Sequence, residues 1–408
     1  TTKQGKAGKP KLTYSGSISG ATDTKGWGDI LITDANEFLD MSKQFFTNGG
    51  QALPSYIQND KLTTFIFPAT NGDPGTYDRF NNPIMRTSAG TDFWDEMTRT
   101  GLVNDHTLSI SGGTDKSTYA ISAGLLNQEG YINYQKFDRY TVRANSSYKI
   151  TDWLKVGENV NFARTNRVNG VQQSEQGAAS QIYKTIPIIP VYDEGTSVDA
   201  DGNRNSFGGS KTANTGNSSN PVAMLYRGKD NNNFTNNILG NVYAEITPIT
   251  GLTFRTSYNV NLSNYNGVNF SFRTPENQEN QGAQNFSEYF GTSYGTIFSN
   301  TINYTKTLSE RHNIGVLVGY ESQDSKTRNL NGSLNNYFSI DPNIWYLNAA
   351  FGQADTRQVG SNGNQSRLLS MFGKVDYSLD DKYFLSATVR RDGSSKFSPA
   401  NRYAVFPA

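Results

Sequence analysis

The 408 residues carry 37 Lys and Arg against 36 Asp and Glu, a formal charge of +1 that leaves no electrostatic footprint for nucleic acid. No cysteine is present, which excludes a disulfide framework and thiolate-held metals. Mean hydropathy is −0.62, and no apolar run reaches the roughly eighteen residues of a membrane-crossing helix.

Along the chain, Lys11–Gly20 reads as a first strand, with Leu12, Tyr14 and Ile18 alternating with polar residues. The stretch that follows, as far as Asp105, holds a capped amphipathic helix, Asp34–Phe46, opened by Asp34-Ala-Asn-Glu37 and showing Phe38, Met41 and Phe45 as its apolar face. A second helix is expected near Asp92–Thr98. The region His106–Asn166 reads as four consecutive strands. In Tyr140–Lys149, residues Tyr140, Val142, Ala144 and Tyr148 share one face, and Thr141, Arg143, Asn145, Ser147 and Lys149 share the other. After the Asn-, Gly- and Ser-rich insertion Arg167–Thr235 come Asn237–Thr247, Leu252–Ser263, Ser287–Lys306, Asn313–Ser325, Arg367–Tyr377, Tyr383–Arg391 and a last strand near Arg402.

Every second connection is tight: Thr114–Lys116, Ile150–Asp152, Thr247–Gly251, Thr307–Arg311 and Ser378–Lys382. In an antiparallel meander, alternate connections lie on opposite rims, so the tight turns share one rim and the long loops the other. Strands of about ten residues with one apolar and one polar face, short turns on one side and long loops on the other, are the pattern of an outer-membrane β-barrel. The expected fold is therefore all-β: an antiparallel meander of about twelve strands of a transmembrane barrel, with long extracellular loops carrying a short helix. Tyr140, Val142, Ala144, Phe254, Tyr258 and Val260 are expected to face lipid. Arg143, Asn145, Arg255 and Asn259 are the candidate substrate-facing residues of the lumen, with Lys149 and Lys155 on the same wet side. A wall that only lines water or holds an internal plug is the competing reading of these polar side chains.

Several local sequences resemble the SusC/RagA family of TonB-dependent transporters. They are the opening Thr1–Leu12, Asp34-Ala-Asn-Glu-Phe38, Thr91–Met97, Leu108–Gly113, Ser117–Gly124, Asn127–Gly130, Arg139–Asn145, Asn220–Leu225 and Arg390–Phe397. The resemblance runs along the whole chain in family order. It implies a parent barrel of about 22 strands closed around a plug, in the outer membrane of a Gram-negative, Bacteroides-type bacterium. It also implies coupling to TonB and a SusD-like surface lipoprotein as lid. Residues 1–10 would then end the plug-to-barrel connection, and residues 11–408 would be the N-terminal part of the barrel.

Catalytic chemistry finds little support. The two histidines, His106 and His312, are expected on opposite rims, too far apart to share a metal or a triad. Gly112–Ser117 has the wrong spacing and context for a phosphate loop. Asp199-Ala-Asp-Gly-Asn203 hints at a calcium loop but lacks a further acidic position and the closing Glu. Trp27, Trp94, Trp345 and Tyr346 lie in or beside the long loops. Together with Phe38, Met41 and Phe45 they are candidates for contact with ligand or lid, or for small cores inside the loops. The expected function is energy-coupled import of oligosaccharides or oligopeptides across outer-membrane lipid, with no cofactor and no enzymatic step. The alternative is a passive or adhesive surface barrel binding ligands through its loops.

Overall fold

The computed structural model describes residues 5–24, 30–53, 64–66, 83–85, 90–168, 176–192, 207–210, 217–274, 277, 282–348 and 351–408. Twelve strands form one antiparallel sheet in which each is paired with its neighbours in the chain. They are β1 (Gly8–Ala21), β4 (Gly101–Gly113), β5 (Ser117–Glu129), β6 (Lys136–Lys149), β7 (Leu154–Val168), β8 (Asn232–Ile249), β9 (Leu252–Ser271), β10 (Asn285–Leu308), β11 (His312–Leu334), β12 (Gln358–Leu379), β13 (Tyr383–Ser394) and β14 (Tyr403–Pro407). The short β2 (Thr64–Ile66) and β3 (Pro83–Met85) pair only with each other, inside the β1–β4 connection. Among the described residues no helix is long and apolar enough to cross a membrane, which says nothing of crossing by strands.

The five tight turns fall on one rim, because the strands they join, β4–β5, β6–β7, β8–β9, β10–β11 and β12–β13, are sequential antiparallel neighbours. Two of them are built on left-handed backbone: Ser309 and Glu310 at φ 50° and 59°, Asp380 and Asp381 at φ 55° and 50°. Left-handed φ at both central residues is the primed geometry whose twist matches the flanking strands.

Strand length changes across the sheet. β4 to β7 are 13 to 15 residues long, whereas β8 to β12 are 18 to 24. About 9–11 tilted residues suffice to cross a bilayer. The extra length lies at both ends: β8 runs past the β7 turn end to Ile249 and β10 past that of β9 to Leu308, while β9 runs beyond β8 at the long-loop rim to Ser271. The sequence-based ends fall short on that side: Ser263 instead of Ser271, Ser325 instead of Leu334, Arg367 instead of Gln358. Beyond the band where one face meets hydrocarbon, the wet face is rich in Asn, Ser and Gly, and the other mixes charged residues such as Asp324, Lys326 and Arg328 with apolar ones. The apolar alternation that marks a strand fades while the backbone ladder continues unbroken.

The loops carry their own cores. α1 (Ala35–Asn48) is capped by Asp34, whose carboxylate accepts from the backbone N–H groups of Asn36 and Glu37 at 2.8 and 2.9 Å. Its buried stripe is Ala35, Leu39 and Ser42, flanked by Phe38 and Phe46 and packed on Ile188. This corrects the expected face of Phe38, Met41 and Phe45: Met41 and Phe45 are 48% and 69% exposed. The true stripe follows i, i+4, i+7 from Ala35, a small residue that lets the helix approach closely. α2 (Phe93–Met97), α3 (Ala178–Gln181) and α4 (Pro221–Arg227) share a second cluster with Ile132, Ile189 and Phe207. A third joins Phe270, Phe286 and Leu334, neighbours in one row of β9–β11, to Tyr337 and Trp345 of the following loop. His106 sits in the middle of β4, opposite Gly16 and Leu125, and not at a rim.

Candidate substrate-facing wall and loop cores

In an antiparallel pair, directly opposite residues point to the same face. The register therefore sorts the wall residue by residue. One face carries Tyr140, Val142 and Ala144 of β6, Val160 and Phe162 of β7, and Phe254, Tyr258 and Val260 of β9. The opposite face carries Arg143, Asn145, Arg255 and Asn259. The four polar candidates thus share a face, and two of them share a row: Asn145, Asn159, Asn241 and Asn259 stand opposite one another across β6–β9.

Along this row Asn159 Nδ2 donates to Asn241 Oδ1 at 3.3 Å, Asn241 Nδ2 to Asn259 Oδ1 at 2.7 Å, and Asn259 Nδ2 to the Ile297 carbonyl at 3.2 Å. Arg143 Nε donates to Asn161 Oδ1 at 2.9 Å on the neighbouring row. Nearer the turn rim, Glu245 lies between two cations, accepting from Lys155 Nζ at 3.2 Å and pairing with Arg255. Both cations lean over the Tyr243 ring, Arg255 at 4.2 Å and Lys155 at 5.7 Å from its centre. These charges are partly exposed, so each pair is worth only about 0–1 kcal/mol. Their clearer effect is to hold the side chains flat against the wall. Glu245, Tyr243, Asn159 and Asn241 were missed by sequence reasoning. The signal was present in their odd positions, which share the alternation that marks Arg255 and Asn259.

The loop candidates are distributed differently. Trp27 lies outside the described residues, as does the Asp199–Asn203 calcium hint. Trp94 is half-buried and donates from Nε1 to Asp23 Oδ2 at 2.8 Å. Trp345 is 5% exposed and stacks on Phe270 with centroids 4.6 Å apart. It is a core residue of its loop and presents no ring surface to a partner, because three aromatic side chains of the β9–β10 rim and Tyr337 enclose it. Tyr346, Met41 and Phe45 stay exposed, and Phe38 is half-buried. Asn220 explains its own surroundings: its Oδ1 accepts from Ala223 N at 3.0 Å, capping α4. Its Nδ2 donates to the carbonyls of Val191 and Gly208 at 2.9 and 3.0 Å. Among the described residues no group of His, Asp or Glu could hold a metal ion. His106 Nδ1 meets the Tyr14 hydroxyl, and His312 Nδ1 the Tyr377 hydroxyl, each at 2.7 Å on separate strands.

No family model matches the chain. It is 30% identical over 337 residues to TonB-dependent receptor P3 of Formosa agariphila, covering 81% of this chain and 32% of that protein. It is 27% identical to TonB-dependent receptor SusC of Bacteroides thetaiotaomicron, covering 100% of this chain and 37% of that protein. The chain thus spans about a third of the length of these curated relatives. Among solved structures, the RagAB peptide importer in its open-open state superposes with a TM-score of 0.75 at 22% identity, over 100% of this chain and 44% of that one. A further structure of the RagAB peptide transporter gives a TM-score of 0.73 at 20% identity, with the same coverage. The likeness to RagAB shows the fold, a run of barrel strands. Joined to the sequence likeness, it places this chain with the SusC/RagA-like TonB-dependent receptors.

Proposed function

We propose that the protein to which these strands belong imports oligosaccharides or oligopeptides across the outer membrane of a Gram-negative, Bacteroides-type bacterium, driven through TonB and assisted by a SusD-like surface lipoprotein. The observation that carries this reading is the two-faced wall. One face is a band of exposed Val, Leu, Phe and Tyr suited to lipid, and the other is a wet surface of amides and paired charges. Residues 1–10 lead into the barrel, and residues 11–408 are its wall and loops. Arg143, Asn145, Arg255 and Asn259 face the lumen, and the turn rim is periplasmic.

The lid docks on the long-loop rim, where α1 leaves Met41 and Phe45 uncovered. In the intact receptor, accumulation of a labelled oligosaccharide or peptide pool should cease when TonB is deleted or the proton gradient is collapsed. Undiminished accumulation under either treatment would favour a passive barrel. Removing Asp34–Phe46 should loosen the lipoprotein complex and lower uptake with the barrel still inserted. Wild-type co-purification and import by that deletion would dismiss α1 as the dock.

A further inference from the structure

The polar face of β8–β12 is not uniform from rim to rim. Near the turns it bears Glu245, Arg255, Glu321, Lys374 and Asp376. From the row of Asn241 and Asn259 upward to the loop rim it bears no charged side chain. The rows hold Asn, Ser, Thr, Gln and Gly, the aliphatic Leu239, Ile297 and Leu368, and two tyrosines. Composition does not explain this, because the reverse face of the same strands carries Glu288, Asp324, Lys326, Arg328 and Arg367 at the same levels. The pairing registers run without a shift through this region, so no residue changes face.

The two tyrosines are placed as platforms. Tyr265 stands opposite Gly291, and Tyr289 opposite Gly267. Any side chain on either glycine would strike the facing ring, so each ring lies across bare backbone. Their centroids are 6.4 Å apart. Each hydroxyl is anchored to an amide oxygen, Tyr265 to Asn329 and Tyr289 to Asn233, and Asn329 Nδ2 donates onward to Asn362 Oδ1 at 3.0 Å. Gly–aromatic pairs also brace the wall lower down, at Gly157–Tyr243 and Gly319–Phe372. The upper two differ in being adjacent to one another and set among amides that are uncharged across β8–β12, with Arg167 of β7, opposite Asn233, at the edge of that field. The loop after β11 folds onto the reverse face, over Phe270, Phe286 and Leu334, and so does not cover the platform.

We infer that this upper wall binds a neutral oligosaccharide, with Tyr265 and Tyr289 as stacking surfaces, an inference that rests on the import reading above. The C–H face of a pyranose packs on the negative face of an aromatic ring. Sugar hydroxyls both donate and accept, and so do the Asn, Ser and Thr side chains around the rings. A peptide or an acidic glycan brings charges that β8–β12 leave unpaired on this face, and desolvating an unpaired charge is costly.

The test uses the intact receptor with its lipoprotein, purified in detergent. It measures binding of fluorescent neutral hexasaccharides (glucan, mannan and galactan), uronate-containing hexasaccharides and a tryptic peptide mixture. At least one neutral glycan should bind in preference to both charged classes. Tyr265→Ala with Tyr289→Ala should weaken it by about tenfold or more, and the corresponding Phe pair by no more than about twofold, since the ring does the stacking. Ser293→Arg, which plants a bulky cation one row below the Tyr265–Gly291 pair without touching either anchor, should also weaken it by about fivefold. Preference for peptides or uronates, absence of neutral-glycan binding, or wild-type affinity in the Ser293→Arg protein overturns the assignment. TonB-dependent uptake of peptides would overturn this inference and leave the import function standing. Uptake of glycan independent of TonB would do the opposite.

Discussion

The two rims of the wall are held by different physics. At the turn rim a few residues connect each pair of strands, and the geometry is set by local backbone conformation at Ser309, Glu310, Asp380 and Asp381. At the loop rim, segments far apart in sequence bury one another. Met97, Ala223, Phe286 and Leu334 are fully enclosed, and no tight turn accounts for their positions. The difference predicts that the barrel wall and the loop cores open as separable cooperative units, joined where Phe270, Phe286 and Leu334 of the wall enter a loop core. One depends on the ladder and the lipid-facing band, the other on nonlocal packing.

The largest expected effect is at the loop rim. Trp345→Ala should destabilise the β11–β12 loop core by about 3–5 kcal/mol. Hydrogen exchange or proteolytic opening of that loop would read it, while the heat-modifiable mobility of the barrel stays unchanged. Trp345→Phe should cost much less, because the buried Nε1 has no hydrogen-bond partner to lose. Joint melting of loop and wall would break the separation.

Next comes the band between the rims. Val142→Arg should cost about 2–4 kcal/mol if it lies near the bilayer midplane, whereas Asn145→Arg on the opposite face should barely affect insertion. Equal losses in a barrel-folding assay would refute the assignment of faces. Asn220→Ala should cost about 1–2 kcal/mol as a lost helix cap and leave the Val191 and Gly208 carbonyls without that donor. Protection of the α4 amides should fall with no change in the turns.

The smallest effect belongs to the turn rim. Arg311 grips Asp380 with two hydrogen bonds of 2.6 Å. That bond holds the Asp380 carboxyl below its ordinary value. A depressed folded value means the contact contributes fully above the unfolded Asp value, about 3.9, and is lost as pH falls through the lower folded value. Both groups are solvent-exposed, so stability between pH 5 and pH 2, relative to an Arg311→Ala protein, should converge only slightly at the acid end. A large acid-dependent difference would show that this rim relies on more than local geometry.

The sequence by itself determined the strand number, the order of pairing and the rim of every tight turn. Alternation between apolar and polar residues is a local pattern with period two, and a hydrocarbon band enforces it strand by strand. It also placed Arg143, Asn145, Arg255 and Asn259 on a single face, for the same reason. Tertiary structure alone decided how far β8–β12 run past that band, where charged residues such as Glu288, Asp324, Lys326 and Arg328 interrupt the apolar face that would mark them. It decided that α1 buries Ala35, Leu39 and Ser42 and not Met41 and Phe45, because the surface opposite the helix, Ile188, comes from another loop. It decided too that Tyr265 and Tyr289 lie side by side on Gly291 and Gly267. Each pairing joins residues more than twenty positions apart, and only the register between strands brings a ring over a glycine.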